Sequence, residues 1–438
     1  MMSQPNVQNQ LHARSLRTSP GRPERIGVKR PLRWVFALFV FSIPFQAVDT
    51  GFTQTASVSK IIGYLLLLLA LIYPGVCFRR FPLAVVCFMA YVLELMVYAP
   101  FQAGIYQPGI RYRLFTLVQV LVMFIISYNL LRQPRMVGLM LGSFSAACAV
   151  LAALNLAGVT ASAVKLAEGE RVTTFGEDLN TAGSVFGLGL LAIVGLVYGR
   201  MRRGRSRNFL AWVMLPLLSL SVVRTGSRGA LVALAGGLLV FLLRRGSVWL
   251  RFRNFMIVAA AFVVIVVASL SMEMTRKRWE ATFERGSMAG RERIYPEAWK
   301  LFLERPILGW GPVANFYALG KRLLLPTRDT HNLFLWLLTE VGILGSIPYL
   351  AGLYLCVRTA WRSRAGPEGV LPLAMLVSAL LINMSLTWIE AKPFWLVLAL
   401  ALASGSQVGV RSVRRPVPRS VPGSRPRVAV ASQATASL

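Results

Sequence analysis

Acidic residues are scarce in this chain: 17 Asp and Glu stand against 48 Lys and Arg in 438 residues, a formal net charge of +31. Histidine is scarcer still, with two, and cysteine numbers four. No group of carboxylates is dense enough to cage a Mg²⁺ ion. Cys77, Cys87, Cys148 and Cys356 lie singly in or beside apolar stretches, with no Cys-x-x-Cys and no His nearby. That spacing excludes a zinc knuckle and a disulfide framework and leaves them as small core fillers. Neither a metal nor any other cofactor is expected.

Charge of either sign is thin, at 15% of residues, whereas 55% are hydrophobic; ordinary soluble domains carry about 25% charged residues. The apolar residues fall into separate runs near the roughly 20 residues that a helix needs to cross a bilayer. Twelve are read, at 34–49, 58–73, 82–99, 113–131, 136–157, 180–199, 208–223, 229–243, 254–270, 331–357, 370–388 and 393–408. The expected fold is therefore an all-α, polytopic integral membrane protein with about 12 transmembrane helices. It divides into a basic tail at 1–33, nine spans within 34–270, a long loop at 271–330, three spans within 331–408 and a second basic tail at 409–438.

Placing the N-terminus inside puts most of the Lys and Arg on inner segments, among them Arg79-Arg80, Arg132/Arg135, Arg200–Arg207, Arg244–Arg253 and Arg358–Arg364. Those segments hold only two acids, Glu24 and Glu368. This is the positive-inside pattern, and it predicts that both termini are cytoplasmic. The basic excess is thus topology and contact with anionic lipid headgroups, not a nucleic-acid surface. The run "WVFALFVFSIPFQAV" resembles a signal peptide, but some 33 residues precede it and no clean small-x-small site follows, so it is read as a retained span. The Pro/Arg/Ser-rich tails carry the composition of disorder.

Two outer connections are long, about 158–179 and 271–330. The second mixes charges of both signs with Trp279, Tyr295, Trp299 and Trp310. Within it Ile294, Ala298, Trp299, Leu301 and Phe302 fall at helical spacing, predicting an amphipathic helix on the outer face. "RPILGWGP" then breaks it. Loops of this length in a compact bundle are usually functional.

Three outer positions carry chemistry. In "VVRTGSRGALVAL" Arg224 and Arg228 fall between two apolar runs; they either snorkel to lipid phosphates or form an anion site at a helix N-terminus. In "AGRERIYPEAW" Arg291 and Arg293 either pair with Glu292 and Glu297 or present a guanidinium fork to a phosphate. His331 opens the run "HNLFLWLLTEVGILG". It is either a structural hydrogen-bonder or a general base for a hydroxyl, with Asn332 beside it and Asp329 placed to orient the ring. Cationic clamps suit a phosphate-bearing donor, whose leaving group develops negative charge. Glu340, one of two acids deep in a span with Glu94, is a supporting candidate.

"TGSRGALVAL", "AGRERIYPEAWKLFLERPILGWGPVANF" and "DTHNLFLWLLTEVGILGSIPY", in this order, resemble the core of the O-antigen ligase and O-antigen polymerase superfamily of bacterial membrane glycosyltransferases. "TTFGEDLNTAG", containing Asn180, resembles the stretch that precedes a span in that family. The matched blocks cover about 171–350; the first 170 residues match in hydropathy alone. The resemblance implies a GT-C-like helical fold in the bacterial inner membrane with a large periplasmic loop and a periplasmic site. It implies a donor glycan on undecaprenyl pyrophosphate and an inverting, metal-free transfer. Arg228 and Arg291 would bind the pyrophosphate and His331 would be the base. Tyr295 stands where the family often has Trp, and Arg293 competes with Arg291. The acceptor would be lipid A–core for a ligase, a growing glycan for a polymerase, or Ser/Thr for a protein O-oligosaccharyltransferase. A lipid-linked glycan transporter is the non-enzyme reading, although no internal repeat is visible; a scaffold is another.

Overall fold

The computed structural model describes residues 28–46, 57–133, 135–159, 161–166, 169–174, 178–198, 205–243 and 248–412. Most of the two expected basic tails lies outside these. The helices are α1 (Arg30–Ser42), α2 (Val58–Ile72), α3 (Leu83–Tyr98), α4 (Gln107–Leu131), α5 (Met136–Leu156), α6 (Leu179–Tyr198), α7 (Arg205–Thr225), α8 (Arg228–Val240) and α9 (Val248–Leu270). In the long loop at 271–330 come α10 (Glu273–Arg285), α11 (Arg291–Glu304) and α12 (Ala314–Arg322), followed by α13 (Leu333–Arg362), α14 (Leu371–Ile382) and α15 (Lys392–Ser412).

Among the described residues each of the twelve apolar runs overlaps a helix. Five helical stretches are long and apolar enough to cross a membrane: Leu83–Phe101, Gly104–Leu131, Met136–Leu156, Leu179–Val197 and Leu333–Arg362. Five other apolar helices are shorter, from 10 to 17 residues. Large apolar side chains such as Leu68, Leu71, Val97, Phe115 and Ile347 are exposed on these helices. Water would penalise that surface; lipid tails solvate it as well as a core does. The four cysteines are free.

Three departures from the sequence reading matter for the site. The connection at 158–179, expected on the outer side, carries strands Ala161–Leu166 (β1) and Gly169–Thr174 (β2), paired antiparallel with Ala161 opposite Thr174. The run 370–388 does not stay helical: α14 stops at Ile382, and Asn383 turns the chain, its Oδ1 accepting from Trp388 N (2.9 Å). The run 331–357 is one helix only in outline, because Gly342 breaks it with φ 66° and ψ −165°.

That break is filled by backbone. Trp310 N donates to Thr339 O (2.9 Å) and Gly311 N to Glu340 O (2.7 Å). Ile343 N and Leu344 N donate to Pro306 O (2.8 Å) and Ile307 O (3.2 Å). Non-helical backbone at membrane depth survives only where protein satisfies its polar groups, and "RPILGWG" does so here. The approach needs glycine on both sides. A Cβ on Gly309 would lie 2.5 Å from Glu340 O, and one on Gly342 would lie 2.3 Å from Ile307 O.

In the long loop, α11 packs Ile294, Ala298 and Leu301 around Leu319 of α12, with Leu335 of α13 beside them. Trp299 departs from the expected face and is 48% exposed. Deeper in the bundle, α8 lies against α14 through Gly236 and Gly237. A Cβ on Gly237 would meet Leu191 at 2.6 Å and Ala374 O at 3.1 Å. Small residues let helices approach closely in membranes. This packing brings the head of α8, with Arg228, beside the chain that leaves α14.

Candidate active site

The "TGSRG" turn is built by local hydrogen bonds. Ser227 caps α8, its hydroxyl accepting from Ala230 N (3.3 Å); Ser is a favoured N-cap because its oxygen satisfies an otherwise orphaned N–H. The head of α6 packs on this turn: a Cβ on Gly183 would sit 2.6 Å from Thr225 Oγ1 and 3.3 Å from Ser227 Cβ. Arg228 Nη1 donates to Arg278 O (2.8 Å) and Ser287 O (3.2 Å). Buried Arg278 returns a bond from Nη1 to Gly226 O (2.7 Å). The long loop is thereby clasped to the turn. Arg224 is exposed at the end of α7 and makes none of these contacts.

Arg291 opens α11. Its Nη1 donates to Met288 O (3.3 Å) and its Nη2 to Ser385 O (2.7 Å), in the connection that leaves α14. Ser385 is approached from the other side by α8, since its Oγ lies 2.6 Å from where a Cβ on Gly229 would be. The segments bearing Arg228 and Arg291 therefore meet twice, at 287–288 and at Ser385. Arg293 is exposed and shares neither contact.

His331 reaches the same connection. Its φ is 51°, a left-handed conformation in which histidine, like Asn and Asp, is enriched among non-glycine residues. The turn is over-determined, as strained functional positions tend to be. Asp329 Oδ1 accepts from His331 N (2.7 Å) and from Thr387 Oγ1 (2.7 Å). Tyr295 OH lies 2.9 Å from Met384 O and 3.3 Å from His331 O. Asp329 thus holds the backbone and not the imidazole. Asn332 is the N-cap of α13, its Oδ1 accepting from Phe334 N (2.9 Å) and Leu335 N (3.2 Å). Its Nδ2 reaches Met384 O at 3.4 Å.

The half-buried imidazole has a pKa below the ordinary histidine value. Burial is the main cause, because it penalises the charged ring. Arg291 and Arg328 push the same way, while Asp329 and Asp178 oppose them. Asp178 is the cap of α6, its Oδ2 accepting from Asn180 N (3.1 Å) and Thr181 N (3.0 Å). Asn180 therefore enters through its backbone. A neutral imidazole beside two guanidiniums can take a proton while they hold an anion.

Glu340 lies about 10 Å along the axis from the head of α13, at 1.5 Å per residue, and is fully buried. It accepts from Tyr91 OH (2.8 Å), Arg113 Nη2 (2.8 Å) and Trp336 Nε1 (3.0 Å). Arg113 Nε stands 2.7 Å from its other oxygen, while Arg113 Nη1 contacts Glu390 at 2.6 Å. Arg113 so joins the broken helix to the connection after α14.

Sequence reasoning missed that connection, residues 383–390, on which Arg291, Tyr295, Asn332, Asp329 and Arg113 converge. Its signal was the polar spacing of Asn383, Ser385, Thr387 and Glu390 at the end of an apolar run. Arg113 and Arg278 carried no local mark. Among the described residues, no three His, Cys, Asp or Glu side chains gather as metal ligands would.

Residues 213–350 match the family model described as O-antigen ligase. The match contains the "TGSRG" turn, α11 and His331, so the site-bearing segment is similar to that family. The described residues around and within this segment include helices long and apolar enough to cross a membrane. No curated protein matches the chain.

Proposed function

We propose that this protein is an inverting glycosyltransferase that moves a glycan from undecaprenyl pyrophosphate to an acceptor hydroxyl at the periplasmic face of the bacterial inner membrane. The acceptor assigned is lipid A–core, as in a ligase, and no metal takes part. Both termini are cytoplasmic and about twelve helices cross the bilayer. The observation that supports this reading is that the segments bearing Arg228, Arg291 and His331 converge on the 383–387 connection, through Gly229, Arg291 and Asp329.

In the proposed step the acceptor oxygen attacks the anomeric carbon while the bond from that carbon to the pyrophosphate oxygen breaks. His331 takes the hydroxyl proton. Arg228 and Arg291 stabilise the charge gathering on the departing pyrophosphate; fixed donors of this kind act most strongly away from water. Guanidinium forks match phosphate oxygens bidentately, which suits them to neutralise a leaving group without a metal. Both arginines now bond backbone carbonyls, so the donor exchanges one set of acceptors for a better one. Alanine at Arg291 should weaken donor use by roughly 10–100-fold, the worth of a charge-assisted bond, and alanine at exposed Arg293 should not. Equal losses at both positions in donor-titration kinetics would reject the clamp.

The deciding experiment reconstitutes the full chain in vesicles with an undecaprenyl-pyrophosphate glycan and EDTA, with and without lipid A–core. Transfer that requires lipid A–core is the expected result. A ladder of longer lipid-linked glycans without it would make the protein a polymerase, and product only with a Ser/Thr peptide would make it a protein O-oligosaccharyltransferase. Movement of the donor across the vesicle without transfer would make it a transporter. Activity lost in EDTA and restored by Mg²⁺ would overturn the metal-free step.

A further inference from the structure

We infer that Arg328, which no motif singled out, is a third donor-binding residue that closes with Arg291 on the pyrophosphate; the inference rests on the functional reading above. Arg328 follows α12 and precedes the His331 turn. Its backbone is pinned at both ends. Its own N–H donates to Phe316 O (3.0 Å), and the next residue, Asp329, accepts from Thr387. The side chain extends to the head of α11, where Nη2 stands 4.0 Å from the position a Cβ on Gly290 would take. Gly290 has φ 86° and immediately precedes Arg291. The guanidinium therefore lies over the start of the helix that carries Arg291, and its charge acts on His331.

What sets Arg328 apart from the other buried or half-buried arginines around this site is the lack of a partner. Among the described residues its half-buried side chain makes no hydrogen bond or ion pair, and its Nε is buried and unsatisfied. Arg113, Arg228, Arg278 and Arg291 all donate to carbonyls or carboxylates. The Nε of Arg291 is likewise buried and unpartnered. Two guanidiniums that both act on His331 add like charge around one site, and a buried donor left unpaired is costly. A diphosphate removes both penalties, because it offers oxygens on two phosphorus atoms to two forks. A monophosphate satisfies only one fork fully. Arg328 thus distinguishes a pyrophosphate-linked lipid from a phosphate-linked one.

The charged groups that face His331 are Asp178 from α6, Arg291 from α11, and Arg328 and Asp329 from its own segment. Tyr295 meets its carbonyl. Of these, Arg328 and Arg291 disfavour the imidazolium, so loss of Arg328's charge raises the histidine pKa.

The experiment measures binding of undecaprenyl pyrophosphate, undecaprenyl monophosphate and inorganic pyrophosphate to the full chain, and then the pH dependence of transfer. Arg328→Gln should weaken undecaprenyl pyrophosphate by roughly 10–100-fold, the range for bonds to a charged group, and affect the monophosphate much less. Inorganic pyrophosphate should compete with the wild type and lose that competition in Arg328→Gln. The acidic limb of kcat/KM should move to higher pH in Arg328→Gln and return towards wild type in Arg328→Lys, which keeps the charge without the fork. A role in folding alone would leave that limb in place and lower affinity for both lipids equally. If the wild type fails to bind undecaprenyl pyrophosphate, the functional reading falls. If the wild type binds, Arg291→Ala weakens binding and Arg328→Gln does not, only the assignment of Arg328 falls.

Discussion

Replacing His331 should remove glycan transfer while leaving the donor bound. Positioned general bases contribute about 10²–10⁴-fold, so kcat should fall by that factor or more, with the affinity for undecaprenyl pyrophosphate close to wild type. The choice of substitution matters, because His331 sits at φ 51°. Alanine there carries backbone strain, whereas Asn and Gly tolerate the conformation. His331→Asn and His331→Gly should therefore keep the turn and still lose transfer. If His331→Gly were active, the residue would serve the turn and not the chemistry.

The pH profile gives the same test from another side. Burial lowers the pKa of His331, so the wild-type acidic limb of kcat/KM should lie below the ordinary imidazole range. The ring is then neutral, and competent as a base, across neutral pH. Asp329 favours the imidazolium, so Asp329→Asn should move the limb lower still. Asn also preserves an oxygen acceptor for His331 N and Thr387 Oγ1. That shift is opposite in sign to the one expected for Arg328→Gln. Limbs that move together in both variants would mean that the titrating group is not His331.

How far the molecule is legible in its sequence depends on the range of the interaction that decides each feature. Hydropathy decides the helices locally, and the run at 229–243 falls on α8 within a few residues of its observed ends. His331 and Arg291 were visible because each stands at the polar edge of a periodic apolar stretch. The break at Gly342 was not, since either of the two glycines inside "LLTEVGILG" reads as a tolerated residue. Its cause lies about 30 residues away in "RPILGWG", whose backbone replaces the missing helical bonds. The connection after α14 was hidden for a similar reason. Ser385 and Thr387 look like the tail of a span until Arg291 and Asp329 are folded against them. Asp329 shows the limit of reading roles from adjacency. Two residues from a histidine it was expected to orient the ring, yet the left-handed turn directs its carboxylate to the backbone N–H.

Arg113 is the residue on which the sequence was most silent, and replacing it should cost the fold most. It lies in α4, outside the segment that matches the family, and is 7% exposed. Its three nitrogens meet Glu340 at 2.7 and 2.8 Å and Glu390 at 2.6 Å, and the guanidinium stands 4.9 Å from the centre of the Trp336 ring. Removing one partner from such a buried cluster costs about 3–5 kcal/mol, because the remaining charge is left uncompensated. Arg113→Met leaves two carboxylates, and it should lower the melting temperature of the purified protein and its transfer together. Arg113→Lys should fall between, since one ammonium cannot span both carboxylates as a planar fork does. Combining Arg113→Met with Glu340→Gln and Glu390→Gln removes the stranded charges, so most of the stability should return; buried ionic clusters often exchange for neutral ones at little cost. Transfer should recover less than stability. Glu390 sits three residues beyond Thr387, and the Thr387 hydroxyl holds Asp329 and through it the His331 turn. A triple variant as unstable as Arg113→Met would show that shape, not charge, binds α4 to the site. One that regains stability and full transfer would show that the cluster holds the helices together without setting the position of His331.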